Sequence, residues 1–249
     1  MLVTILLLCV VTFVAGVIDS IAGGGGLIKL PAIMLTGVTP QQAMGISKFA
    51  STLGTGSAML NFARSGLMPW KMTLLGVPGA LIGSAAGGKC IMLVDPNLAG
   101  RVIAVILPIA AVLTLIPWKS RPPKETFTNI DLYVLIPLIC FVVGFYDGFI
   151  GPGAGTFFIM GLHIAVRMSL IKASAMTKTI NLCSNVGALA VFLLNGQVLF
   201  MYALPLAVAD ILGNLVGSQM AIHKGSKLVR AFMVISIVIL LISLIYKYF

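Results

Sequence analysis

Apolar runs of about 20 residues, the length that crosses a bilayer's hydrocarbon core, follow one another along the whole chain. No other feature narrows the fold as far. In lipid, every backbone N–H and C=O must find a partner inside the protein, so runs of this length read as helices. They fall at about 43–63, 69–90, 98–118, 172–194, 198–221 and 228–248, with two longer Gly-interrupted segments at about 3–37 and 130–166. Charged residues make up 9% of the 249, where a water-soluble domain carries roughly a quarter. The expected fold is an all-α integral membrane protein without a soluble appendage.

The formal net charge of +10 does not point to nucleic acid. The Lys and Arg residues punctuate the gaps between apolar runs instead of clustering in a groove or tail. Cys9, Cys90, Cys140 and Cys183 sit singly inside apolar runs, with neither metal-ligand spacing nor a disulfide framework. The first run, Leu2 to Ile21, resembles a signal peptide but has no Lys or Arg before Lys29. It reads as part of the mature fold.

The chain is a duplication. Gly16, Asp19, Gly23 and Gly25 recur as Gly144, Asp147, Gly151 and Gly153, at an offset of 128. After a two-residue insertion the register continues at 130: Lys48 meets Lys178, Phe62 meets Phe192, Gly66 meets Gly196, and Gly83 and Gly87 meet Gly213 and Gly217. A constant register through several segments is the mark of an internal repeat. The expected division is an N-terminal membrane repeat, 1–118, a linker, 119–128, and a C-terminal membrane repeat, 129–249. Each repeat is a Gly-interrupted segment followed by three transmembrane helices.

Topology turns on that interrupted segment. If it spans fully, the halves are parallel, and the basic loop residues divide six against seven between the two faces. If it is a re-entrant hairpin, each half crosses three times and the second half is inverted. Arg64, Lys71, Lys119, Arg121, Lys124, Arg167, Lys172, Lys224, Lys227 and Arg230 then share the linker side, against Lys89, Arg101 and Lys247. The positive-inside rule favours this second arrangement, with a cytoplasmic linker and both termini outside. Broken hairpins at matching places in inverted halves are how secondary transporters build central sites.

Of six acidic residues in the chain, two occupy equivalent places beside the glycine runs. A carboxylate at the centre of a membrane helix costs about 2.5–3.5 kcal/mol to insert. Asp19 and Asp147 are therefore expected either to cap the backbone freed at their own hairpins or to handle protons. Gly24, Gly25, Gly26 and Gly153 precede short helical runs, where free N–H groups and the helix dipole suit an anion. Lys48, Ser51, Thr52 and Thr55 fall on one helix face, and Lys178, Asn181 and Asn185 repeat it, if the two helices start near Pro40 and Leu170. One cation and several neutral donors suit an oxyanion. The bland alternatives are helix packing for the glycines and snorkelling for either lysine. Asp210 has no counterpart in the first half and is expected to partner a lysine of its own half.

No nucleophile–base pair, nucleotide loop or metal cluster is expected, so catalysis, a cofactor and a metal are not. The expected function is secondary transport of a small anion by alternating access, with a central site between the repeats. Its partners are the anion and the bilayer, and a homo-oligomer is left open. A passive anion channel, or a membrane subunit handing its cargo to an enzyme, is the alternative.

The motifs GVIDSIAGGGGLIKLPAIM, ISK around Lys48, GFYDGFIGPGAGTFF, MTK around Lys178 and the NLCSN after it together resemble the sulfite exporter TauE/SafE family over essentially the whole chain. The resemblance implies a bacterial inner-membrane permease with duplicated halves, moving sulfite, organosulfonates or other small sulfur oxyanions. The family's motif residues map onto Asp19, Gly23–Gly26, Lys48, Asp147, Gly151–Gly153 and Lys178. The GPGAG run and the ISK and MTK triplets depart modestly from the family pattern, which bears on the substrate.

Overall fold

The computed structural model describes residues 2–115 and 122–223. Within them the chain forms nine helices and no strand. These are α1 (Leu2–Ala22), α2 (Gly26–Met34), α3 (Pro40–Arg64), α4 (Trp70–Met92), α5 (Pro96–Leu115), α6 (Asp131–Phe149), α7 (Ala154–Ile164), α8 (Leu170–Leu194) and α9 (Phe200–His223). The run expected at 228–248, and part of the linker, lie outside the described residues. Five of the helices, α1, α4, α6, α8 and α9, are long and apolar enough to cross a membrane.

Local sequence sets where these helices start and stop. Thr39 and Gln42 form a capping box before α3: Thr39 Oγ1 accepts from Gln42 N at 3.2 Å, and Gln42 Oε1 accepts from Thr39 N at 3.1 Å. Pro40 supplies a pre-set first helical residue. The chain turns in the left-handed region at Gly66 (φ 73°) and at Gly196 (φ 66°), equivalent positions of the repeat. Arg167 (φ 62°) occupies the position equivalent to Gly37 (φ 86°). A non-glycine residue is unfavourable there. It is held by its own contacts, its guanidinium donating to Pro122 O at 2.8 Å and its carbonyl accepting from Lys124 N at 2.9 Å.

The two interrupted segments are helical hairpins. Leu8 near the start of α1 shares an apolar cluster with Leu30 and Ile33 of α2, so α2 returns toward the end from which α1 entered. In the second hairpin, Ile136 and Cys140 of α6 share a cluster with Phe158 and Leu162 of α7, while the tip residue Ile150 belongs to the cluster of the first hairpin. The tip of the second hairpin thus reaches the apolar cluster that holds the first.

Helices α3 and α8 pack through the centre in opposite directions. Ala43, Met44 and Ala50 early in α3 cluster with Ala188 and Phe192 late in α8. Phe62 late in α3 clusters with Ile171 and Ala175 early in α8. The halves also exchange neighbours. A Cβ on Gly83 or Gly87 of α4 would come within 2.9 Å of Phe145 N or 2.8 Å of Phe149 N of α6. Their repeat partners Gly213 and Gly217 on α9 approach Val17 of α1 in the same way. Glycine stripes here permit backbone-to-backbone contact, as between membrane helices generally, and each half's long helix lies against the other half's hairpin.

Candidate functional site

The site lies where the hairpin tips cross. Gly23 (φ 78°) and Gly151 (φ 95°), equivalent in the repeat, both adopt the left-handed conformation open to glycine. Thr156 N donates to Gly23 O at 3.2 Å, and Thr156 Oγ1 to Ala22 O at 2.9 Å. A Cβ on Gly23 would sit 2.5 Å from Thr156 N, and one on Gly26 3.2 Å from Pro152 Cα. The glycines are required because two backbones touch.

Beside this crossing is a polar cavity of about 30 Å³. That is room for about two waters. Its wall includes Ser47, Lys48 and Ser51 of α3, Asp147, the Gly151–Gly155 loop, and Asn181 and Asn185 of α8. Lys48 Nζ lies 2.6 Å from Asp147 Oδ2, with the side chains 7% and 4% exposed. It also donates to Asn185 Oδ1 at 3.0 Å, and Ser184 Oγ donates to Asp147 Oδ2 at 2.5 Å. Two buried charges thus neutralise each other on the cavity wall, with their other polar atoms partly satisfied.

The equivalent pair in the other half is arranged differently. Lys178, fully buried, donates to the backbone O of Asp19 at 2.7 Å and is in no ion pair among the described residues. The Asp19 side chain accepts from Gly25 N, within its own hairpin, at 3.2 Å. Asp147 does not cap its hairpin. Its carboxylate is taken by Lys48 and Ser184, and the tip is held instead by Tyr146, whose hydroxyl donates to Pro152 O at 2.7 Å.

Of the residues singled out from sequence, Lys48, Ser51, Asn181, Asn185, Gly26, Gly153, Asp19 and Asp147 come together on the cavity wall. Lys178, Thr52, Gly24 and Gly25 stand off it. Thr52 spends its hydroxyl on Lys48 O, one turn back, at 2.7 Å, and Gly24 and Gly25 accept the first amides of α2. Asp210 pairs with Lys29 at 2.9 Å, a residue of the other half, which corrects the same-half expectation. That expectation assumed the halves pack as units, whereas α9 lies against the first hairpin. Sequence reasoning passed over Ser47, Ser184 and the role of Lys29. A usable signal for Lys29 was present, because Lys29 and Asp210 are opposite charges that both break the repeat.

These features define a multi-pass helical membrane protein with a polar centre made jointly by its two halves. Residues 8–244 match the profile of the sulfite exporter TauE/SafE family, and the chain belongs to that family. It is 38% identical over 240 residues to a "Probable membrane transporter protein ORF9" of Sinorhizobium sp, covering 95% of this chain and 90% of that protein. It is 33% identical over 237 residues to "Probable membrane transporter protein YfcA" of Escherichia coli K12, covering 95% and 87%. A "Probable membrane transporter protein" of Haemophilus influenzae is 34% identical over 231 residues, covering 92% and 89%.

Proposed function

We propose that this protein is a proton-coupled secondary transporter of a small sulfur oxyanion, sulfite or an organosulfonate, working by alternating access between two inverted halves in the inner membrane. The family and its transporter relatives support transport. The single observation that carries the mechanism is the Lys48–Asp147 ion pair on the cavity wall.

With Asp147 ionised, Lys48 is occupied. A proton on Asp147 cancels its charge and releases the ammonium, and an oxyanion then takes the place of the carboxylate on Lys48. The Asn185 and Asn181 amides and the Ser47 and Ser51 hydroxyls stand around it as neutral hydrogen-bonding groups. Binding of anion and proton is thereby linked, and each favours the other. The cavity is too small for a sulfonate, so loading requires the hairpin tips to part. Glycine hinges at both tips suit such motion.

Inverted halves are supported by the opposed α3 and α8 and by the hairpins that enter from opposite ends. The linker and the Arg64, Lys71, Arg167 and Lys172 loops then share one end, with Lys89 and Arg101 at the other. By the positive-inside rule the former is cytoplasmic.

The test is sulfite uptake into proteoliposomes of the purified protein under an imposed pH gradient. Accumulation that follows the proton gradient is the expected outcome. Flux that ignores the proton gradient would point to a passive channel, and no flux would refute sulfite as cargo.

A further inference from the structure

Two buried charges have no counterpart in the repeat. Lys29 of α2 stands where the second half has Phe157, and Asp210 of α9 stands where the first half has Ala80. They come from opposite halves and meet with Nζ and Oδ2 2.9 Å apart, the side chains 2% and 1% exposed. The molecule leaves room for them. A Cβ on Gly16 of α1 would lie 2.9 Å from Asp210 Oδ1, and one on Gly54 of α3 2.7 Å from Oδ2. The equivalent place in the other half holds Phe157 and Ala80, so the scaffold packs without such a pair. A buried ion pair seldom stabilises more than apolar residues of the same volume.

The pair also reaches the cavity. Lys29 Nζ donates to Ser51 Oγ at 2.5 Å, and Ser51 lies on the cavity wall one turn beyond Lys48. The Lys29 ammonium is therefore one hydroxyl away from the central space. On its far side the pair is incompletely satisfied: neither Asp210 Oδ1 nor Asn214 Oδ1, one turn along α9, has a hydrogen-bond partner. The ionisable groups acting on Asp210 are Lys29 from α2 and Asp19 from α1. What α3 brings nearest the pair is Gly54, against Asp210, and Ser51, against Lys29.

We propose that Lys29–Asp210 is a second proton-linked ion pair, so that the anion crosses with two protons and the cargo is a doubly charged oxyanion. This rests on the transporter reading above. A proton from the aqueous side adds to the Asp210 carboxylate, making the neutral acid. Lys29 keeps its charge and turns along Ser51 toward the cavity. With Lys48 released by a proton on Asp147, two ammonium groups face two negative charges. On the other side the anion leaves, both carboxylates give up their protons, and the pairs re-form. The cycle moves two protons with one dianion and no net charge.

The test counts protons. Sulfite accumulation is measured in proteoliposomes in alkaline buffer, with the membrane potential clamped at zero, against the imposed pH difference. Each coupled proton contributes tenfold per pH unit, so the protein should reach about 100-fold per unit and Asp210→Asn about 10-fold. A slope of about tenfold in the unaltered protein, or an unchanged slope in the variant, overturns the proposal. Should Asp210→Asn fail to fold, Lys29→Met with Asp210→Leu removes both charges together and should show the same reduced slope. If the unaltered protein moves no sulfite, the sulfite reading fails separately. The pair is then judged by infrared difference spectra between acidic and alkaline buffer. A protonated-carboxyl band missing in Asp210→Asn supports it, and an identical spectrum in the two proteins overturns it.

Discussion

At the scale of single residues, the centre is governed by where Lys48 and Asp147 send their charges. Each is nearly excluded from water, and removing one leaves the other uncompensated, at a cost of about 3–5 kcal/mol. Lys48→Ala should therefore lower the melting temperature and abolish sulfite uptake. Loss of uptake alone would not separate misfolding from mechanism, so the neutral pair Lys48→Met with Asp147→Leu is the informative control. It should recover the melting temperature and remain inactive, by thermal unfolding and by uptake in vesicles. Uptake restored by the neutral pair would place the anion elsewhere. Helical spacing singled out Lys48, Ser51, Asn181 and Asn185, which share the cavity wall, but equally Lys178 and Thr52, which stand off it. The Lys48–Asp147 and Lys29–Asp210 pairs were not legible. They join residues 99 and 181 positions apart, through the interlocking of the halves, and no local spacing encodes that.

At the scale of elements, two devices shape the site: glycine tips that let the hairpins cross, and glycine stripes that bring α4 onto α6 and α9 onto α1. The hairpins and the two lysine helices were readable in advance. The Gly-interrupted runs became α1–α2 and α6–α7, and α3 and α8 begin at Pro40 and Leu170 as expected. Less readable was the partner of each stripe, since Gly83 and Gly87 specify a close neighbour without saying which. Here the neighbour is α6, the helix that carries Asp147. Gly87→Leu inserts a side chain where Phe149 N lies 2.8 Å from even a Cβ. Overpacking of this kind costs about 1–3 kcal/mol, and it also displaces the end of α6. A lower melting temperature together with weaker sulfite binding is expected. Unchanged binding in the folded variant would uncouple the α4–α6 contact from the site.

At the scale of the whole molecule, the account requires two halves that enter the membrane from opposite faces and share one polar centre. A single cysteine placed at Glu125 in the linker and another at Asn97 in the exposed first turn of α5, each in a background with the four native cysteines replaced, should label from opposite sides of the membrane. Labelling of both from one side would refute the inverted arrangement. In the sequence, this topology rests on the duplication and on the ten-against-three division of Lys and Arg that an inverted second half gives. The exchange of long helices between halves did not follow from either, because repeat register fixes equivalence and not adjacency. Under the proposed mechanism, each of the interlocked halves loads the anion only by moving a hairpin of the other half, and the Lys48–Asp147 pair is where proton and cargo meet. Calorimetric titration of sulfite into purified protein, in buffers of different ionisation enthalpy, reads the coupling at this pair. Asp147→Asn should bind sulfite more tightly than the unaltered protein and take up fewer protons on binding. Equal affinity and equal proton uptake in the two proteins would contradict the account.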